Sequence, residues 1–257
     1  MRQQGAWMKW EQEMERSVTW KDIWQWNPQR IEFLIQIGTL EHILSSRSKA
    51  LGEGRYRRRH DHVLKSIAEA ISKGIKGSRH TQATAKVIHF VKEGQRPEKT
   101  PKNRSAVLLP MAQDWVMSVD LEKQLNIPPH ITQSRLRPDI ILVSEATKQL
   151  FLLELTVPWE ERMEQAQERK REKYQELVED CRRNGWKTRC VPVEVGSRGF
   201  ASHSLSKAHS TLGIRGANRR RAIGNNVEAA EKASRWLWLK RGEQWGLWLK
   251  RGEQWGQ

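Results

Sequence analysis

The sequence has few cysteines and lacks a long apolar run. Its 257 residues include two cysteines, Cys181 and Cys190, too few for a disulfide framework or a cysteine-rich zinc site. A reducing compartment is therefore expected. The first ten residues lack the apolar segment of a signal peptide, and no uninterrupted apolar stretch reaches bilayer length. We therefore expect a soluble intracellular protein that has no membrane partner.

Positive charge is in excess. Lys and Arg number 46 against 30 for Asp and Glu, a formal net charge of +16, which favours a polyanionic partner. Three clusters carry much of it: Arg55-Tyr56-Arg57-Arg58-Arg59-His60, Lys170-Arg171 and Arg219-Arg220-Arg221. A single cluster could equally be a solvated surface or a localisation signal. The three clusters together favour contact with nucleic-acid phosphates.

Hydrophobic residues make up 37% of the chain, enough for one well-buried domain with extensions or for two small domains. The 13 tryptophans crowd both ends of the chain. They could stack on bases. Packing in a core or an interface is favoured, because tryptophan is first a large apolar body.

Hydrophobic periodicity predicts an α/β fold with a mixed central sheet flanked by helices. A buried hairpin, with strands over 140–143 and 150–157, is its clearest feature. Other strands are expected over 115–119 and 188–195. Helices are expected over 59–75, 121–125, 160–181, 204–212 and 218–239, after helical segments over 1–36 and 39–46. Residues 93–105 are expected to form a polar loop. The tail repeats the ten residues LWLKRGEQWG from Leu237 to Gly256, which indicates a recent duplication.

Two acids lie on the hairpin. Asp139 opens its first strand, and Glu154 lies among leucines inside the second. Burying a carboxylate there costs several kcal/mol unless a cation or hydrogen-bond donors meet it. Asp139 and Glu154 on paired strands could converge on a divalent metal ion. The alternative for Glu154 is a salt bridge to a basic residue of a neighbouring helix.

A lysine on the following helix points toward these acids. Lys170 lies four residues from both Ala166 and Tyr174 on the apolar stripe of that helix, and Lys173 borders the stripe. This register places an ammonium near Glu154. The alternative is a lysine whose stem covers apolar surface while its charge reaches solvent.

The order helix, strand, hairpin with two acids, helix, strand resembles the PD-(D/E)xK nuclease core. Longer stretches resemble the restriction-like endonuclease segment that follows reverse transcriptase in certain non-LTR retrotransposons of animals. These stretches are RYRRRHDHVL (55–64), LRPDIILV (136–143), LELTVPW (153–159), ERKREKY (168–174), VGSRGF (195–200) and AAEKASRWLW (229–238). The resemblance implies a restriction-endonuclease-like core with helical N-terminal and C-terminal extensions.

The resemblance also implies roles for individual residues. Asp139 and Glu154 would hold Mg²⁺ or Mn²⁺, and the cut would be a nick in DNA that primes reverse transcription. The catalytic lysine would come from a Lys-x-x-Lys-Tyr pattern that matches Lys170, Lys173 and Tyr174, where the inward register favours Lys170. Residues expected to contact nucleic acid, or to lie beside the metal site, are Arg57, Arg58, Arg59, His60, Asp61 and Arg137. Element RNA is a further candidate partner, and a chromosomal substrate implies the nucleus.

The chain departs from the family pattern around His42. Family members carry a Cys-x-x-Cys…His…Cys zinc knuckle before the nuclease, but no Cys-x-x-Cys precedes His42 here, and Arg47 stands where the last cysteine is expected. Zinc is therefore not expected.

We divide the chain into a tryptophan-rich segment with a degenerate knuckle (1–50), a nuclease core (51–215) and a C-terminal helix with the duplicated tail (216–257). The missing knuckle cysteines and the duplicated tail indicate a truncated copy of the element. The alternative to an active endonuclease is therefore a catalytically silent nucleic-acid-binding remnant. The oligomeric state and the target site are left open.

Overall fold

The computed structural model describes residues 54–80, 107–121 and 125–240, together with Gln25, Trp26, Pro28 and Ile31. Four helices and four strands form the described part of the chain. In chain order these are α1 (Arg55–His80), β1 (Val116–Val119), β2 (Ile140–Ser144), β3 (Gln149–Thr156), α2 (Met163–Arg183), β4 (Lys187–Glu194), α3 (His203–Leu212) and α4 (Gly216–Leu239). Short 3₁₀ turns, Leu109–Met111 and Glu160–Arg162, precede β1 and α2.

The four strands form one sheet in the order β1-β2-β3-β4. β1 pairs antiparallel with β2, and β2 pairs antiparallel with β3 across the tight turn after Ser144. β3 and β4 run parallel, because the chain crosses between them through α2 and so returns to the same end of the sheet. The predicted mixed sheet flanked by helices is confirmed.

Helices cover both faces of this sheet. On one face, Ile140, Leu142 and Leu153 join an apolar cluster with residues of α1, α3 and α4. On the other face, Ile141 and Leu152 pack with residues of α2. Strands covered on both sides need apolar residues at successive positions. This explains why β2 and β3 lack the alternation of polar and apolar residues seen in half-exposed strands.

α1 and α4 pack against each other in antiparallel orientation. Arg59 Nη1 lies 3.4 Å from Ser234 Oγ, and Ser66 Oγ donates to Asn226 Oδ1 at 2.9 Å. The predicted boundary at residues 215 and 216 falls between α3 and α4. α4 nevertheless contributes Ala230 to the same apolar cluster as the sheet.

The predicted strands and helices of the described region are confirmed to within a few residues. The longest extension is in α1, which begins at Arg55 and ends at His80. Core packing of tryptophan is confirmed for four residues, all less than one-tenth exposed: Trp115, Trp159, Trp186 and Trp238. The predictions for 39–46, 93–105 and His42, for most of 1–36 and 121–125, and for the tail after residue 240 lie outside the described residues. No helix in the described ranges is apolar over a length that could cross a bilayer.

A buried ion pair closes the loop that leads into α2. Glu160 and Arg198 are 2% and 1% exposed, and Glu160 Oε2 accepts a hydrogen bond from Arg198 Nε at 2.9 Å. Glu160 Oε1 accepts a second from the Arg198 backbone N–H at 2.7 Å. The guanidinium lies 4.1 Å from the centre of the Trp159 ring. The pair therefore joins the end of β3 to the loop after β4.

Glu160→Gln should lower the free energy of unfolding by about 3–5 kcal/mol, because it removes the negative charge that Glu160 places against the buried Arg198. Chemical denaturation monitored by circular dichroism measures the change. Glu161→Gln, at the exposed neighbouring position, is the matched control and should change stability by about 0.5 kcal/mol or less. Equal effects of the two substitutions would contradict the role assigned to the pair.

Candidate active site

The two acids of the hairpin face each other across β2 and β3. Ile140 pairs with Leu153, so the antiparallel register places Asp139 opposite Glu154. Both lie on the sheet face that α2 covers. Asp139 Oδ2 accepts a hydrogen bond from the backbone N–H of Leu155 at 2.6 Å, which holds its carboxylate against the neighbouring strand. The pair that the sequence predicted is therefore brought together.

Glu154 is a buried carboxylate, 3% exposed. Burial is the main cause that raises its pKa, and the negative charge of Asp139 adds to the rise. Lys170 and Tyr174 oppose this increase. The Lys170 ammonium contacts Glu154 Oε1 directly, as expected from the inward register of Lys170. The salt bridge proposed as the alternative for Glu154 is thus present, and its partner is the predicted lysine itself.

Tyr174 holds the other oxygen of the same carboxylate. Its hydroxyl lies 2.8 Å from Glu154 Oε2 and 3.0 Å from the backbone carbonyl oxygen of Arg137. Burial and the charge of Glu154 both raise the pKa of Tyr174, so the phenol stays protonated and donates. Lys173 lies further out: its Nζ is 4.0 Å from Glu154 Oε1, and its side chain is 45% exposed. Of the two candidate lysines, Lys170 is the one in contact with the acid.

The first helix brings a histidine to the other acid. His60 Nε2 lies 3.3 Å from Asp139 Oδ2, and His60 Nδ1 lies 3.2 Å from Asp61 Oδ1. Burial alone lowers the pKa of His60, but hydrogen bonds and charge interactions with Asp139 and Asp61 outweigh it and raise the pKa to about 9. The imidazole is therefore a cation at neutral pH. Arg57 Nε, 3.5 Å from Asp61 Oδ2, extends the pair into a chain of charges.

The basic residues predicted to contact nucleic acid lie in different surroundings. Arg137 is exposed and next to the acid pair. Arg57 is partly exposed and donates to the carbonyl oxygen of Leu121 at 2.7 Å. Arg58 is partly buried, 4.5 Å from the centre of the Trp236 ring.

Arg59 differs from these residues because it is buried. It is 5% exposed, and its Nη2 donates to the carbonyl oxygen of Val157 at 2.8 Å. Burial lowers its pKa to about 10. Its guanidinium binds the chain segment after β3, and its contact with nucleic acid stays a prediction.

Asp120 is an acid beside the site that the sequence reasoning did not select. It follows β1 directly, and its backbone N–H donates to the carbonyl oxygen of Asp139 at 2.8 Å. The backbones of Asp120 and Asp139 are thus adjacent at the same end of the sheet. Its position immediately after a predicted strand, beside the start of the hairpin, was the available signal.

The donor set of the pair suits a hard divalent cation. Asp139 and Glu154 offer carboxylate oxygens, and Mg²⁺ usually binds one or two carboxylates together with water and substrate phosphate. In the described ranges, no group of three or more His, Cys, Asp and Glu side chains is arranged to enclose a metal ion.

The charge of His60 predicts how stability depends on pH. The folded-state pKa of about 9 exceeds the unfolded value of about 6.5. The stabilisation is therefore complete below pH 6.5 and is lost as the pH rises through 9. Between these limits we expect the wild type to lose about 2–3 kcal/mol of unfolding free energy relative to His60→Gln, as measured by denaturation at each pH. His62→Gln is the control, because burial lowers the pKa of His62 instead. A pH profile that is unchanged by His60→Gln would contradict the His60–Asp139 pair.

No protein-family model matches the chain, and no curated protein matches it. What remains is the chemistry of the side chains themselves: two facing carboxylates, one contacted by an ammonium and the other by an imidazolium.

Proposed function

We propose that this chain is a metal-dependent DNA endonuclease domain with a restriction-endonuclease-like core, derived from a non-LTR retrotransposon. Its activity is strand nicking that primes reverse transcription, and a chromosomal substrate would place it in the nucleus. One observation carries the proposal. Asp139 and Glu154 face each other on adjacent strands, and the Lys170 ammonium from the next helix contacts Glu154.

The order of the elements supports the proposed core. A helix, a strand, the acid-bearing hairpin, a helix and a parallel strand follow one another from α1 to β4. The sheet presents the acid pair at one end, where β1 ends and β2 begins. A substrate can approach there without opening the apolar clusters on the two faces, because Asp139 remains partly exposed.

Each side chain of the site would have a separate role in phosphodiester hydrolysis. Asp139 and Glu154 would hold the metal ion, which supplies an activated water and charge stabilisation when bound. Lys170 places a positive charge where the negative charge on the phosphate oxygens grows. Tyr174 orients Glu154 through Oε2. A primer needs a free 3′-hydroxyl. The oxygen of a water molecule therefore forms the new bond to phosphorus, while the bond between phosphorus and the 3′-oxygen breaks and the 3′-oxygen gains a proton.

Nicking of supercoiled plasmid in Mg²⁺ or Mn²⁺ tests this role. Asp139→Ala and Lys170→Ala should each reduce the nicking rate by about 100-fold or more, since each removes a group that acts on the developing charge. Arg169→Ala is the matched control, because Arg169 neighbours Lys170 but is exposed. Lys173→Ala should cost about tenfold or less, because exposed charges interact weakly.

Folding must be separated from chemistry in this assay. Circular dichroism and thermal melting establish whether each variant is folded, and Glu154→Gln keeps the shape of the buried side chain while removing its charge. Metal-dependent nicking that persists in Asp139→Ala and Glu154→Gln would refute the proposal. It would mean that the activity arises elsewhere or from a contaminant.

A catalytically silent nucleic-acid-binding remnant is the second candidate. The observation that favours it is that His60, Lys170 and Tyr174 already satisfy oxygens of both carboxylates. Such a site is electrostatically stable without a metal ion. Salt-sensitive DNA binding together with a complete absence of metal-dependent nicking would support this candidate over the enzyme.

A further inference from the structure

A groove lies between the second half of α1 and the first half of α4. Its volume is about 600 Å³. Leu109, Leu212 and Ile214 form its apolar floor. The α1 wall carries small residues, among which Gly74 packs closely: a Cβ added there would lie 3.0 Å from Leu109 Cδ1. The groove is thus a feature of how the two helices and the floor residues pack.

The rim of the groove is positively charged. Lys73 stands on the α1 side, and Arg215 and Arg221 stand on the α4 side, against the single acid Glu69. All three cations are exposed. No acid occurs between Arg215 and Glu228 in the sequence, so the first half of α4 provides no counter-charge.

These cations differ from the basic residues that are paired with buried acids. Lys170 pairs with Glu154 and Arg198 pairs with Glu160. By contrast, the side chains of Lys73, Arg215 and Arg221 make no hydrogen bond or ion pair with any residue that the structure describes. Unpaired cations on both walls of one groove repel each other unless an anion lies between them. The groove therefore suits an anionic occupant.

The remaining lining indicates which kind of anion fits. Asn218 and Asn225 add amide donors beside the cations, and such groups bind phosphate and sugar oxygens in nucleic-acid complexes. Arginine is suited to phosphate through its forked N–H groups. Among the described residues, none that lines the groove is aromatic, which disfavours both base stacking and the anchoring pockets of peptide grooves.

We propose that this groove binds a nucleic-acid strand through its phosphates, at a site separate from the acid pair. Lys73 lies thirteen positions after His60 on α1, about 20 Å along the helix axis. The inference does not depend on catalysis by Asp139 and Glu154. It assigns a binding role to Lys73, Arg215 and Arg221, whereas the nuclease proposal uses the other end of α1.

Binding of a labelled single-stranded oligonucleotide of about 20 nucleotides, measured by fluorescence anisotropy in EDTA, tests the groove. Lys73→Gln with Arg221→Gln removes one cation from each wall. We expect the affinity to fall about tenfold, and the slope of log K against log salt to shrink by about 1.4, since each lost phosphate contact contributes about 0.7 on a single strand. The matched control is Lys187→Gln with Arg189→Gln, which removes two exposed charges from the first half of β4 and should leave affinity within about twofold.

A second pair of variants separates charge from shape. A Cβ added at Gly77 meets nothing within 4 Å, so Gly77→Glu and Gly77→Gln both fit and differ only in charge. Gly77→Glu should weaken binding about as much as the loss of the two cations, and Gly77→Gln should weaken it less.

Three results would overturn the inference. The first is equal losses in the groove variant and the β4 control, which would indicate an effect of net charge alone. The second is oligonucleotide binding that none of the groove variants changes. The third comes from repeating the measurement with polyglutamate as the ligand. If the groove variants lose affinity for polyglutamate but keep their affinity for the oligonucleotide, the groove binds an acidic protein. Plasmid nicking reports on the acid pair and binding in EDTA reports on the groove, so either proposal can fail alone.

Discussion

The site depends on one buried carboxylate. Glu154 lies near the end of β3, and its side chain is buried between the sheet and α2, where an unpaired charge would cost several kcal/mol. Lys170 and Tyr174 meet that cost, and they can do so together because residues four apart lie on the same face of a helix. This requirement fixes which face of α2 packs on the sheet. The apolar residues Leu177 and Cys181 then fall against Ile141 and Leu152. One helical register of α2 therefore both pairs the charge of Glu154 and packs the apolar face of α2 on the sheet.

Three acids near this end of the sheet each pair with a cation from a different element. Glu154 takes Lys170 from α2, Asp139 takes His60 from α1, and Glu160 takes Arg198 from the loop after β4. Buried ion pairs are seldom more stable than apolar residues of the same size. The two buried pairs, Glu154–Lys170 and Glu160–Arg198, therefore represent stability given up, which functional sites often show. Glu160 and Arg198 sit behind the site and join its loops, whereas Asp139 and Glu154 face the open end of the sheet.

Local periodicity predicted most of the described fold, because strands covered on both faces and helices with one apolar stripe leave clear patterns. The inward register of Lys170 followed from the same pattern, since its neighbours on the stripe are four residues away. Contacts between elements that are far apart in the chain could not be predicted from the sequence in the same way. That His60 reaches Asp139, or that Arg59 turns inward to Val157, depends on where α1 lies against the sheet, and no periodicity records that placement. Asp120 was missed because a single acid after a strand is common. The groove beside Lys73 was invisible because its two walls are far apart in sequence.

For binding of the proposed substrate, the positions of the charges on the molecule matter more than the total net charge. A phosphodiester approaching Asp139 and Glu154 meets two carboxylates, so the acid pair alone repels the proposed substrate. Lys170, Lys173 and His60 reduce this repulsion at close range, but their charges are partly committed to the acids themselves. Affinity for the proposed substrate would then come from cations that pair with no acid among the described residues, and Lys73, Arg215 and Arg221 on the groove are such cations. Because the groove lies along the same helix that carries His60, a strand held there would be positioned by α1 relative to the acid pair. If both proposals hold, this separation of binding charge from catalytic charge would keep the carboxylates available for a metal ion, while the net charge of +16 would hold the polyanion nearby.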